Sequence, residues 1–448
     1  MCIWFKCRRI PAVLMALWAV LVICSFGCSR DETQTSQPAG SSDLRSPFNK
    51  VEFPGEALYF WHAAVDYRPT LLLFSNEPLL LPVPENLRVD AGSLLLTANR
   101  TLLATKTNPL QAAPLLLPAM TIDAALRSGW FSEFIWVVPV TDTLPPLNGE
   151  VLRRQLLGSG YLDATDKIEV VADGTGVLKG TLRGTAFRAV TLAQLSPVKQ
   201  AVVHIDQDWF LQSIRNEIAT PLFALLEATA DSIHKQAPQR LVTTFCYGNL
   251  DGRISLDVRF AGEMLGYFLE SSSRIGQELP PNWRRMKDIL YLQNFFKKEM
   301  VAEIARQMGA ADAKSAWVQF VLYRSAAEMK EPQRALRHLD AAVMFDSGYA
   351  VEYLNLVWKA YEARDLNGAM RMLERAEAVF PENPEIKHQI ALLAHELGED
   401  DRAKQIAREL LALPWSELYH PGKKAELQNL SEYLNSRQGK RILGQSVD

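Results

Sequence analysis

Cysteine is almost missing from the body of this chain. Of five cysteines, Cys2, Cys7, Cys24 and Cys28 crowd the amino terminus and Cys246 stands alone beyond them, so no disulfide can close within the folded part. In the run Leu241-Val-Thr-Thr-Phe-Cys246 that thiol reads as a small buried apolar residue and not as a nucleophile, because no activating partner lies near it in sequence. Blocks of Lys or Arg are lacking too. With a formal charge of −3 there is no basic footprint, which excludes nucleic acid as a partner. Neither a Gly-x-Ser-x-Gly elbow nor a His-Glu-x-x-His zinc helix occurs, which removes the commonest signposts of hydrolases. Ser-His-Asp and Cys-His arrangements stay open, since such residues meet in space and not in sequence.

What is present is an ordinary globular composition, 48% apolar and 22% charged over 448 residues, with room for two or three domains. The first residues form a targeting segment: Lys6, Arg8 and Arg9, an uncharged run from Ile10 to Cys28, then Ser29-Arg30-Asp31. With Gly27 before Cys28 the segment resembles a bacterial lipoprotein signal, although Ser25 and Phe26 stand where such signals carry Leu and a small residue. The resemblance implies removal of residues 1–27, lipidation of Cys28 and, with Ser29 next, an outer-membrane position facing the periplasm. The alternative is an uncleaved inner-membrane signal anchor, because the apolar run is long enough to span a bilayer with its basic end in the cytoplasm. Residues 28–50 are polar and aperiodic and read as a flexible tether.

Over residues 51–270, short apolar runs alternate with helical patterns, which predicts an α/β domain with a mainly parallel sheet. Candidate strands are Thr70–Phe74, Phe134–Val138, Ala201–Asp206 and Leu241–Phe245. Thr121, Thr220 and Asp257 are candidate caps for helices over 122–131, 222–235 and 258–269. Between Lys167 and Val190 the glycines punctuate β-prone residues and predict an antiparallel ribbon. A phosphate-cradling loop would need a Lys-Ser/Thr or a helix start that does not follow.

The strand Ala201-Val-Val-His-Ile-Asp206 runs into a second acid, Asp208. Alternation places His204, Asp206 and Asp208 on one side, at the carboxyl end where parallel sheets gather ligands. Two hard oxygen donors there suit a divalent cation, while the plainer reading is an acid that ties down a loop. The order Glu56-Ala-Leu-Tyr-Phe-Trp61, Pro69-Thr-Leu-Leu-Leu-Phe74-Ser-Asn-Glu-Pro-Leu-Leu-Leu-Pro82, Phe134-Ile-Trp-Val-Val-Pro139 and His204-Ile-Asp-Gln-Asp-Trp-Phe210 resembles a family related to arginases and deacetylases. The resemblance implies a three-layer, arginase-like (ureohydrolase-like) fold with metal motifs Asp-x-His-x-Asp and Asp-x-Asp. Asp206 and Asp208 fit the second; Ser75, Glu77 and Leu79 replace the first. Two dications would be left undercompensated, so the expectation is no cofactor, with the alternative of one divalent metal ion on Glu77, Asp206 and Asp208.

From Pro280 onward the pattern is helical. Ala335, Ala369 and Ala403 are separated by 34 residues, as are Leu322, Leu356 and Ile390; Ala326, Ala360 and Ala394; Ala342, Ala376 and Leu410; and Phe345, Val379 and Leu413. This period with small residues at helix crossings matches the tetratricopeptide repeat. The expected organisation is a connecting helix over 280–312, three repeats over 313–415, and a capping helix and tail over 416–448. The resemblance implies that Arg324, Trp358, Tyr361, His388 and His395 face the inner groove, where a protein partner would lie, Trp358 and Tyr361 being large amphipathic anchors. The functional expectation is a lipid-tethered interaction scaffold with a non-catalytic arginase-like domain. The alternatives are a metal-dependent hydrolase acting on C–N bonds in the envelope, and an array that only covers the α/β domain.

Overall fold

The computed structural model describes residues 48–436, apart from 98, 140–147, 173, 212, 214–220 and 250–253. The leader, Cys28, the tether before Phe48 and the cap at Thr220 lie outside the described residues. Among the described residues no helix is long and apolar enough to cross a membrane.

Eight strands form one sheet: β1 Phe48–Val51, β2 Thr70–Phe74, β3 Glu133–Val137, β4 Lys167–Val170, β5 Leu178–Leu182, β6 Thr185–Val190, β7 Ala201–Asp206 and β8 Arg240–Cys246, in the spatial order β1-β8-β7-β2-β3-β6-β5-β4. Pairing is antiparallel for β4 with β5 and β5 with β6, and parallel elsewhere. Every residue of β2 and of β7 is buried. Their apolar runs, interrupted in β7 only by His204 and Asp206, suit a sheet covered on both sides. On one face Leu71, Leu73, Phe134, Trp136 and Val202 pack under α1 Ala57–His62, α2 Arg88–Leu96, α3 Arg100–Lys106, α4 Thr121–Arg127 and α5 Gly149–Gly158. On the other, Leu72, Phe74, Ile135, Val203 and Phe245 pack under α6 Leu222–Gln236 and α7 Phe260–Glu270.

The ribbon over 167–190 is antiparallel as expected, and its last strand joins β3. Gly180 is required there, because a Cβ would sit 1.8 Å from the Lys167 carbonyl oxygen. Three local expectations are corrected. The sheet begins inside the stretch read as tether, since β1 pairs with β8 from Phe48. Thr121 is the first helical residue of α4 and its hydroxyl donates to Pro118 O, so it caps nothing. The turn before α7 is capped by Ser255, whose side chain accepts from the Asp257 amide, which leaves the Asp257 carboxylate for another partner.

Beyond the sheet come α8 Pro281–Gln293, α9 Lys298–Ala311, α10 Ala316–Glu328, α11 Pro332–Phe345, α12 Val351–Glu362, α13 Leu366–Val379, α14 Pro384–Glu396, α15 Asp400–Leu411 and α16 Lys423–Asn435. They form four helix hairpins and a last helix. The second helices start at Lys298, Pro332, Leu366 and Asp400, each 34 residues after the one before. Two residues ahead of each start the chain turns through a left-handed residue: Phe296, Lys330, Arg364 and Gly398. The segment taken as one connecting helix is thus a hairpin in register with the other three, broken at Phe296. The core residues of its second helix, Val301, Ala305 and Met308, are buried like Ala335, Leu339 and Ala342, or Ala369, Leu373 and Ala376. The fifth sequence column is weaker than expected, because Phe345 is exposed.

One apolar core runs from the sheet into the hairpins. Trp283 of α8 and Trp317 of α10 stack face to face at 4.5 Å beside Phe260 of α7. At the far end the chain returns to the α/β unit: the Ser416 amide donates to Ala112 O at 2.8 Å, Tyr419 Oη donates to Leu115 O at 3.1 Å, and His420 Nε2 lies 2.9 Å from Gln111 O.

Candidate functional site

The chain passes from β2 to β3 on one side and from β7 to β8 on the other, so a crevice is expected beyond the carboxyl ends of β2 and β7, the place where open α/β sheets bind ligands. The sequence-predicted acids lie there. Asp208, at the exit of β7, accepts from Ser75 Oγ at 3.3 Å and from the Asn76 amide at 3.1 Å. The same loop is pinned by Trp136 Nε1, which donates to Ser75 O at 2.9 Å. Asp208 therefore ties the β2 loop to the β7 loop.

Asp206 is buried beside His204, with 3.2 Å between its Oδ1 and Nε2, yet the approach is too oblique for a hydrogen bond. The other imidazole nitrogen meets Thr244 Oγ1 at 2.7 Å, and Thr244 also accepts from Trp61 Nε1 at 3.1 Å. Edge-on packing against Trp61 at 5.2 Å completes the cage, so His204 is held as a sheet histidine. Glu77 is half-buried, its amide donating to Ser75 Oγ at 3.2 Å, and Leu79 is buried with φ of 52°. Among the described residues no three His, Cys, Asp or Glu side chains come together as a metal-holding group; Glu77, Asp206 and Asp208 do not form one. Cys246 is buried, and burial together with Asp206, Glu56 and Glu52 pushes its thiol well up, which leaves it protonated and inert at neutral pH.

Sequence reasoning missed a second cluster at the same end of the sheet. Arg259, buried at the start of α7, donates from Nη1 to Glu52 Oε2 at 3.1 Å and to Asn249 Oδ1 at 3.1 Å, and from Nη2 to Glu52 Oε1. Its Nε and Nη2 reach Asp346 in the turn between α11 and α12, at 2.7 and 3.0 Å. The guanidinium lies 3.7 Å over the Tyr247 ring. Burial alone would disfavour the charge, but Glu52 and Asp346 hold it on. Burial likewise works against an ionised Asp346, and Arg259 nevertheless keeps its carboxyl below the usual range. Gly348 makes room, since a Cβ there would lie 2.2 Å from Arg259 Nη2. Beside Glu52, burial and the Glu52 charge push the carboxyl of Glu56 up to about 8. No spacing could have revealed this cluster, because the two carboxylates lie 207 residues before and 87 residues after Arg259.

The residues expected in the groove are not brought together as one surface. Arg324 pairs with Asp257 of the α/β unit, 2.9 Å from Nε to Oδ1. His388 is buried against α16, with Lys423 Nζ 3.0 Å from its Nδ1. His395 packs edge-on against Tyr433 of α16 and meets Asp400 at 2.7 Å. On α12, Trp358 and Tyr361 remain half-buried. Tyr361 Oη donates to Glu396 Oε1 at 2.9 Å, and burial followed by that carboxylate pushes its hydroxyl up to about 12.

A cavity of about 480 Å³ lies under α2 and α4, lined by Arg88, Arg127, Asp163 and Arg183 among others. Its deepest cation is already satisfied. Arg183 donates to Asp123, Asp166, Leu80 O and Tyr161 O, and Arg127 donates to Asp123 and Asp163, so the arginines hold the wall together and leave little charge for an anion.

No known protein family and no curated protein matches the chain. Among solved structures, the crystal structure of MamA is similar at 15% identity, over 35% of this chain and 93% of MamA, with a TM-score of 0.22, a superposition too loose to carry an argument about fold or function.

Proposed function

We propose that the chain is a cell-envelope lipoprotein, anchored through Cys28, whose tetratricopeptide-type hairpins hold a protein partner while its arginase-like α/β domain serves as a non-catalytic body. The observation that carries this reading is the position of Trp358 and Tyr361. They stay half-exposed at the middle of the array, whereas Arg324 is taken up by the α/β unit and His388 and His395 by α16. Large amphipathic side chains left open between covered neighbours suit a short partner segment that supplies the missing apolar contact. The non-catalytic reading draws support from Asp208, whose carboxylate serves the β2 loop.

Two measurements test this. With a photo-crosslinking amino acid in place of Trp358 in cells, one discrete protein adduct is expected, reduced about tenfold or more by Tyr361→Ala; no adduct at Trp358, or the same adduct from exposed Met344, sinks the scaffold. Elemental analysis of the purified protein, alone and as Asp206→Asn, is expected to show no stoichiometric divalent metal in either. Two equivalents in the parent, lost in the variant, would make a metal-dependent hydrolase the first choice.

A further inference from the structure

The tip of the first hairpin departs from those of its three siblings. At the left-handed position the other hairpins carry Lys330, Arg364 and Gly398, and the first carries Phe296, which is 90% exposed. A bulky aromatic in that backbone region is strained, and exposing its ring gains nothing from the protein itself. Directly after it, the residue preceding the second helix is an acid in the others, Glu331, Asp365 and Glu399, as the positive end of a helix dipole favours. Here it is Lys297, followed by Lys298. From Ile289 to Lys298 there is no acid, and Glu299 then follows in the first turn of α9, on a chain whose formal charge is −3. The Tyr291 and Phe295 rings meet at a tilt with centroids 4.9 Å apart and are exposed, as is Met300 in the first turn of α9. The Phe296 ring stands clear of the body at that exposure, and the length of α8 carries the tip about 20 Å from the Trp283–Trp317 junction.

Two unfavourable choices at one turn, an exposed aromatic in a strained conformation and cations at a helix amino terminus, require a compensating contact. The contact must take aromatic rings on a protruding surface and offer negative charge around them. A concave protein pocket meets the first condition only by matching this shape; an anionic phospholipid surface meets both, with rings entering the interfacial region and lysines reaching headgroup phosphates. We propose that the tip from Tyr291 to Met300 is a wedge that inserts into the interface of an anionic membrane, a contact separate from the anchor at Cys28. It sets the orientation of the body on the bilayer, with Phe296 as the deepest residue.

The test uses the full chain reconstituted into vesicles of phosphatidylcholine, with or without phosphatidylglycerol, carrying p-benzoylphenylalanine at position 296, 330 or 364. Lipid adducts read by mass spectrometry are expected at 296 and at neither of the equivalent turns, with higher yield when phosphatidylglycerol is present. Lys297→Gln with Lys298→Gln should lower that yield about tenfold or more, each lysine near an anionic surface being worth about 1 kcal/mol. As a second variant, Phe296→Asp with unchanged circular dichroism should protect a probe placed at Phe295. A chain that stays with the vesicles through its leader but gives no lipid adduct at 296 overturns the wedge while leaving the anchor intact. A protein adduct at 296 in cells, without a lipid adduct, reassigns the tip to a polypeptide partner.

Discussion

Replacing Arg259 with alanine is expected to lower the unfolding free energy by about 3–5 kcal/mol, the usual result of removing one partner from a buried ion pair. Glu52 and Asp346 would both lose their cation, and Asn249 Oδ1 its donor. Chemical denaturation at neutral pH measures the loss. Because Glu52 follows β1 while Asp346 closes α11, the variant should weaken the sheet and the array together, seen as faster amide exchange in both. Glu52→Gln with Asp346→Asn in the Arg259→Ala background should restore part of the stability, since the stranded charges are gone. A loss below about 1 kcal/mol would place the pair with surface salt bridges and contradict its buried geometry.

Glu56 should make stability fall as the pH rises. Its folded pKa of about 8 stands above the ordinary 4.5, so the folded protein keeps a proton that the unfolded chain releases. The contribution is fully present below pH 4.5, declines between there and pH 8, and is gone above. The shift corresponds to a few kcal/mol. Glu56→Gln keeps the shape and removes the titration. Its melting temperature should therefore exceed that of the parent at pH 8.5 and converge with it near pH 4. Asp346 acts in the opposite sense, since Arg259 holds its carboxyl low and its contribution is lost as pH falls through that range. The difference between parent and Glu56→Gln isolates Glu56. Parallel melting curves for the two across pH 4–9 would show that Glu56 ionises normally.

The strands were legible where burial forces apolar runs: Thr70–Phe74 and Ala201–Asp206 were placed to the residue. The first strand was not, because Phe48-Asn-Lys-Val is too short and polar to stand out from a tether and is defined by its pairing with β8. The hairpins over 316–411 were legible because small residues recur where helices cross. The hairpin before them escaped because its first helix breaks the pattern, with Asp288 where the others have Leu322, Leu356 and Ile390, and because nothing in Gln293-Asn-Phe-Phe-Lys297 signals a turn by composition. At the site, the position of Asp206 at the carboxyl end of a strand was readable from alternation, whereas Asp208 lies past the strand in the turn over 207–210. The use of Asp208 was not, since its partners come from residues 132 and 133 positions earlier.

The return of residues 416–420 to the loop over 111–115 changes what kind of mechanical object the array is. A row of stacked hairpins free at its ends behaves as a spring that stretches, twists and frays from its termini, each unit melting nearly on its own. Here the two ends are clamped to one rigid frame, at Phe260 and at Gln111, and Arg259 adds a rivet between them. A clamped spring cannot lengthen to wrap a larger guest or unwind from one end under tension. Its curvature is fixed by the spacing of the clamps on the sheet domain, so a displacement at Trp358 must be transmitted to the frame or not occur at all.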